Sequence, residues 1–431
     1  MSLQPILKQI KDDSSPIPIC CGGEANYELY EKTNLMNKRI HKALWLMLAL
    51  LSCKVGLCQT SSLETTSKKI LAAKRGDIVN LDKVLKADFP KLSYTKSVLP
   101  GPQYIISDDP EYIRVPEAIA LQETVDPGAV RLYVYNVNGV KDPQKIARKI
   151  SAVIKNLGKE NMHFRMLKYS SQKPSSNYFE IGKKGLEDYF LSAVSNQVRV
   201  LKPGEVMAID EKLENQIVQY DELVHGFYEF VVDQPAQISV IQFAPEESGP
   251  KVLSHIKTLI PHSHANAGRG IFPISNYQVN TVDTLDTKNG VVQLIVADGQ
   301  DDPWITGTIG EKKEFAKNAG NYGVMYKNKI KWRSSDGKGL ALVTWNSRSA
   351  DNQWCGGMGL TMELIGQDGK KTVMQYPNKA LITKGYPEAI LIETYWPDPK
   401  KEIQDIEFTY SPPGASCLPT PLIFIPIDRK K

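Results

Sequence analysis

The sequence predicts a mainly β protein, and three observations carry that expectation. Short alternating or β-branched runs recur beyond Pro102, turn dipeptides such as Asn-Gly and Asp-Gly separate them, and windows with helical spacing are few. The organisation expected from them is two antiparallel β-sandwich domains, immunoglobulin- or jelly-roll-like, after a signal peptide and a linker with one short helix.

Composition agrees with a globular chain. Of 431 residues, 42% are hydrophobic and 23% charged, which excludes a disordered tail, a collagen-like fibre and a multispanning membrane protein. Lys and Arg number 53 against 48 Asp and Glu, a net charge of +5. That excess is too mild to indicate a nucleic-acid partner. Six cysteines without a Cys-x-x-Cys pair exclude a disulfide-dense miniprotein and a zinc ribbon.

The segment Met36 to Gln59 reads MNKRIHKALWLMLALLSCKVGLCQ. Lys38, Arg39 and Lys42 form a basic region, and Ala43 to Leu51 form an apolar run that Lys54 stops well short of a membrane span. Residues 36–58 are thus expected to be a signal peptide cleaved between Cys58 and Gln59. Lipidation of Cys53 within Leu50-Leu51-Ser52-Cys53 is the rival outcome. Residues 1–35 precede this signal without clear periodicity, so translation is expected to start at Met36. The mature chain has 46 basic and 43 acidic residues, and its length favours two domains with no transmembrane span.

Residues 59–102 read as a linker. Ile78 to Phe89 is its one amphipathic stretch, stopped by Pro90 and by Pro100-Gly101-Pro102. Residues 103–262 and 263–431 are the two expected sandwich domains, divided in the small, polar run from Pro261 to Gly270. Val130 to Val137 alternates aliphatic and aromatic residues before Asn138-Gly139. Ile150 to Ile154 and Met162 to Tyr169 read as two strands, as do Phe227 to Val232 and Gln237 to Phe243 across Asp233-Gln234-Pro235. Asn289-Gly290 predicts a hairpin between Tyr277 to Val282 and Val291 to Val296. Gln367-Asp368-Gly369 predicts another between Leu360 to Ile365 and Thr372 to Tyr376.

Three stretches, Val130 to Tyr135, Val224 to Phe230 and Gly320-Asn321-Tyr322-Gly323-Val324-Met325-Tyr326-Lys327, carry a resemblance. Over roughly residues 110–345 the chain resembles secreted bacterial β proteins of unassigned function, sometimes labelled copper amine oxidase-like. The label implies a quinone formed from a Tyr in an Asn-Tyr-Asp/Glu context and copper held by His-x-His plus a later His. His262-Ser263-His264 supplies the pair, but His264 is the last histidine. The Asn-Tyr pairs at 177, 276 and 321 are followed by Phe179, Gln278 and Gly323, and Asn26-Tyr27-Glu28 precedes the signal. No catalytic motif of that chemistry carries over.

Other constellations give candidate sites. His255, His262 and His264, with His225 as an alternative, offer imidazoles for copper or zinc. Asp298, Asp301 and Asp302 offer hard oxygens for calcium or, more simply, form a turn. Trp304, Trp332, Trp345, Trp354 and Trp396 would form a ligand platform if their rings were exposed on one face, and core residues otherwise. Cys355 and Cys417, the two thiols left after cleavage, are expected to pair as a disulfide. No GxSxG, HExxH or phosphate loop is present. The function expected is therefore an exported cell-envelope or extracellular protein that binds an envelope carbohydrate or another envelope protein, or has a structural role. The alternative is a metal-dependent enzyme or an envelope-polymer hydrolase with a His-based site.

Overall fold

Strand Gly128–Asn138 shows how this sequence builds its core. Its aliphatic residues Val130, Leu132 and Val134 enter one hydrophobic cluster, while Tyr133, Tyr135 and Val137 enter another on the opposite side. Successive side chains of a strand point to opposite faces, so the alternation of aliphatic with aromatic residues assigns each kind its own core. Arg131 lies on the aromatic side and is buried, and its guanidinium is matched there by Glu229 at 3.0 Å. The structure, a computed structural model, describes residues 63–85, 88–262, 268–348, 356–366, 368–378, 383 and 385–429.

The described strands form four sheets. A nine-stranded sheet runs Glu314–Lys317, Thr306–Ile309, Arg269–Phe272, Gln103–Ser107, Gly128–Asn138, Leu223–Val232, Met162–Ser171 and Val198–Leu201, with Tyr112–Ile113 also alongside Gly128–Asn138. A four-stranded sheet, Val206–Ala208, Lys149–Asn156, Ala236–Phe243 and Ala118–Val125, covers its aliphatic face through Ile150, Ile154, Ile238 and Val240. The aromatic face shares a larger cluster with two further sheets. One has five strands, in the order Ile78–Asn80, Glu388–Tyr395, Gly339–Thr344, Thr420–Ile427, Val292–Val296. The other has seven, with Tyr94–Leu99, Asn276–Thr281, Met325–Arg333, Gln404–Tyr410, Leu360–Ile365 and Lys371–Tyr376 in order and Leu285–Asp286 beside Met325–Arg333.

The fold is mainly β, as expected, but its strands do not follow the expected division. Arg269–Phe272 pairs with Gln103–Ser107, and Tyr94–Leu99 pairs with Asn276–Thr281. Sheets therefore cross the boundary expected at 262/263, and residues 62–431 form one compact unit. Nor is 59–102 a linker in its described part. Residues 63–72 are helical, and Ile70, Leu81, Leu85 and Phe89 cover the outer face of the five-stranded sheet. The helix expected over Ile78 to Phe89 is instead a strand at Ile78–Asn80, paired with Ile390, Ala389 and Glu388. A sheet edge there satisfies the backbone of β-branched Ile78 and Val79 better than one exposed helical turn does.

The hairpin expected around Gln367-Asp368-Gly369 forms, with Leu360 opposite Tyr376. The one expected at Asn289-Gly290 does not. Asn276–Thr281 belongs to the seven-stranded sheet and Val292–Val296 to the five-stranded one, and Thr287–Asn289 is a 3-10 turn ending on Gly290 at φ 88°. Turn chemistry was legible there, but the pairing partner was not, because the strands on either side bond to distant chain.

One helix was missed. Tyr178–Leu191 is capped by Asn177, whose side chain accepts the Glu180 N–H, and it buries Ile181, Leu186 and Tyr189 on the aromatic face of the nine-stranded sheet. Its two interior glycines, normally helix-weakening, hid it. A Cβ on Gly182 would stand 2.8 Å from the Gly414 carbonyl oxygen, and one on Gly185 would overlap the His225 ring. No described helix is long and apolar enough to cross a membrane.

Candidate functional site

Gln103–Ser107 and Gly128–Asn138 run parallel, so their carboxyl ends lie side by side. Asp108 follows the first of these strands, and its N–H donates to Gly268 O at 2.7 Å. With Tyr104 and Ile106 on the aromatic face, the two-residue period puts Asp108 there too, one step beyond the Ile106–Tyr133 pair and beside Tyr135.

Asp108 is half-buried rather than sealed, yet desolvation raises its carboxyl well above the usual carboxylate range, and the charges of Glu111 and Asp109 raise it further. The residue is thus partly exposed while its carboxyl lies among protein atoms, a setting we call the Asp108 recess. Among the described residues no hydrogen bond or ion pair reaches that carboxyl. Glu111, exposed at the rim, is also raised by desolvation.

Tyrosines wall the recess. Burial raises Tyr322 first, followed by the charges of Asp108 and Glu111, while exposed Arg348 acts in the opposite sense. Tyr133 OH accepts from Gly414 N–H at 2.9 Å, whereas the Tyr135 hydroxyl is buried with no partner. Tyr112 and Tyr178 share a 3.0 Å hydroxyl contact, and both reach Asp221. Tyr322 is presented by a sharp turn, with Gly320, Asn321 and Gly323 at φ 104°, 50° and 73°. Asn321 secures this turn by accepting from Ile305 N–H at 2.8 Å and donating to Tyr326 OH at 2.6 Å. Tyr326 in turn donates to Asp302 at 2.7 Å. Gly323 lies so close to the Tyr104 hydroxyl that any side chain would collide with it. The Gly-Asn-Tyr-Gly stretch singled out in the sequence therefore shapes this recess.

No family model and no curated protein matches the chain. Among solved structures, it is similar to the PBSX exported protein XepA, at 11% identity over 72% of this chain and 84% of that one, with a TM-score of 0.14. It is also similar to a mutant oxalate decarboxylase of Bacillus subtilis, at 8% identity over 72% and 69%, with a TM-score of 0.13. Likenesses this remote carry no argument about fold or function.

Among the described residues, the indoles expected to form one ligand platform are spread over different parts of the structure. Trp332 and Trp345 are buried in different clusters, at 0% and 6% exposure. Trp304 is half-buried against Gly299 and donates to Ala297 O, Trp396 is half-buried against Gly339, and Trp354 lies outside the described residues. The described indoles are thus core and flank residues rather than one exposed plane, because each fills the space left by a glycine or by its own sheet. His262 pairs with Glu314 at 3.0 Å, and His264 is outside the described residues. His255 sits instead with Glu117 and Glu247, and His225 is sealed beneath the helix.

The aspartates of ADGQDDPW are engaged by protein donors. Asp298 caps its own turn, Asp302 accepts from Ala297 N–H and Tyr326 OH, and Lys91 and Lys96 pair with Asp301 and Asp302. Cys417 is buried and its N–H donates to Gly357 O at 3.0 Å, while Cys355 is outside the described residues. The signal segment, with Cys53, Cys58 and Gln59, also lies outside them. Sequence reading missed Asp108 and Glu111, which flank Asp109-Pro110 without forming a recognisable motif. The available signal was that they follow an apolar strand directly.

Proposed function

We propose that this is an exported β protein that binds a hydroxyl-rich ligand, an envelope carbohydrate or the decorated surface of an envelope partner, in the Asp108–Tyr322 recess. The observation that carries the reading is Asp108 itself: a desolvated carboxyl on a half-buried residue, among tyrosines and without a hydrogen-bond partner among the described residues. A carboxylic acid both donates and accepts when protonated, and the half-buried ring of Tyr322 offers an aromatic face to a sugar. Export rests on the basic, apolar and small-residue order of residues 36–58, and the resemblance to secreted bacterial β proteins agrees with it.

The experiment is calorimetric titration of soluble glucan and N-acetylglucosamine oligomers into wild type, Asp108→Asn and Tyr322→Ala. Binding weakened at least tenfold in both variants supports the reading, and unchanged binding in both overturns it. A hydrolase is the second reading, favoured by the paired acids Asp108 and Glu111, both raised. Release of reducing ends that stops in Asp108→Asn would select it. Export is tested by the amino terminus of the mature chain, which should be Gln59 or a lipidated Cys53.

A further inference from the structure

Glu117, Glu247 and His255 come from three separate stretches of chain, and each places one ligand atom within 4.8 Å of the other two. Their convergence is fixed by backbone. The chain beyond Ala236–Phe243 turns at Ala244, where Glu247 N–H donates to the carbonyl at 3.2 Å, and passes through the short helix Gly249–Val252. It then returns along the start of Ala118–Val125, where Ile119 N–H donates to Thr258 O at 2.8 Å and the Ile119 carbonyl oxygen accepts from Ile260 N–H at 2.9 Å. That strap brings His255 over Glu117, two residues before Ile119. Underneath, Ile119, Val153, Ile241, Phe243 and Val252 pack as a small cluster that makes a firm base.

The donor set is chemically suited to a divalent ion. Two carboxylates balance a 2+ charge and an imidazole adds a borderline-soft nitrogen, a combination that suits zinc better than calcium. Two acids face each other, and one Glu247 oxygen, Oε2, is buried with no hydrogen-bond partner. The ammonium of Lys149 donates to the Glu247 backbone carbonyl at 3.0 Å. Ligands about 2.0–2.1 Å from a tetrahedral zinc lie roughly 3.3 Å apart, so closure asks for at most about 1.5 Å of change in any ligand–ligand separation. Half-exposed and exposed side chains can supply it.

We propose that Glu117, Glu247 and His255 form a zinc-class metal site that ties the 244–260 strap to the start of Ala118–Val125, with a fourth position left for water or a ligand atom. It is separate from the recess and does not depend on the reading given to it. The test uses untagged full-length protein, stripped with chelator and titrated with zinc chloride alone, read by calorimetry and by the shift of Tm. One equivalent should bind and raise Tm. His255→Ala and Glu117→Gln, surface changes checked for unaltered circular dichroism, should each weaken binding at least tenfold and abolish the Tm shift. Glu246→Gln and His262→Ala should leave both readouts unchanged. No binding by the wild type overturns the proposal, as does undiminished binding by His255→Ala and Glu117→Gln, or a loss in His262→Ala that His255→Ala does not show.

Discussion

Gly185 of the helix Tyr178–Leu191 lies against the imidazole of His225 so closely that a Cβ on the glycine would overlap the ring. Tyr133 and Tyr135 present the ring with edge-on contacts at 5.0 and 5.9 Å, and neither ring nitrogen has a hydrogen-bond partner. His225 is thus held as a neutral, buried ring between the helix and the floor of the tyrosine-walled recess.

Gly185→Ala should destabilise the protein despite improving helix propensity. The propensity gain is about 1 kcal/mol, whereas forcing a methyl into a packed interface costs roughly 1–3 kcal/mol. Denaturant unfolding should show a lower midpoint with an unchanged slope. A higher midpoint would mean that the helix can shift off the ring.

Stability should fall in acid through His225. Burial pushes its pKa down to about 4 from an ordinary 6.5. The unfolded chain therefore binds the proton first, and stability present above pH 6.5 is lost as pH falls toward 4, by about 3 kcal/mol if this group acts alone. His225→Leu should flatten that limb of the stability–pH curve. An unchanged slope in the variant would assign the acid limb to other groups.

Asp108 should act in the opposite sense. Its folded pKa lies above the unfolded one, so its contribution is full below the unfolded pKa and is lost as pH rises through the folded value. Asp108→Asn should consequently be more stable than wild type at neutral and alkaline pH, with the difference shrinking in acid. A stability cost retained at a desolvated acid is the pattern expected of a group kept for binding or chemistry. A variant less stable than wild type at pH 8 would show instead that the carboxylate has a structural partner.

The class of the fold was legible because residues such as Val130 to Val137 state their environment locally: aliphatic side chains for one face, aromatic for the other. Pairing was less so. Asn289-Gly290 marks a turn, but nothing near it says that Val292–Val296 pairs with Thr420–Ile427. The helix Tyr178–Leu191 was hidden because Gly182 and Gly185 answer to Gly414 and His225, contacts made by folding alone. The recess was equally hidden, since what distinguishes Asp108 is desolvation that arises only on folding, which also brings Tyr322, 214 residues away in sequence, within reach of its charge. His255 stood among the candidate imidazoles, but its neighbours Glu117 and Glu247 carry no spacing that links them to it.

Trp332 should behave as a core residue. It is fully buried in Met325–Arg333, so Trp332→Ala should cost roughly 3–5 kcal/mol through lost burial and a cavity. Trp396, half-buried with the Arg429 guanidinium 5.9 Å from its ring, should cost less on truncation. Equal costs in thermal unfolding would contradict this ordering.

Cys355 and Cys417 should be joined in the exported chain. These are the only two cysteines beyond Gln59, and the proposed export would carry them into an oxidising compartment. The Cys417 N–H bond to Gly357 O draws the backbone two residues beyond Cys355 alongside Cys417, whose burial protects a bond once formed. Closing a loop of about 62 residues stabilises the folded state by roughly 4 kcal/mol on the chain-entropy model. Peptide mapping of the exported protein without reductant should recover one peptide pair linking the two cysteines, and reduction should lower Tm. Cys417→Ser should match the reduced protein and be insensitive to reductant. Two free thiols per denatured mature chain would refute the pairing, and with it the expectation that this bond secures the strand Thr420–Ile427, which begins three residues beyond Cys417.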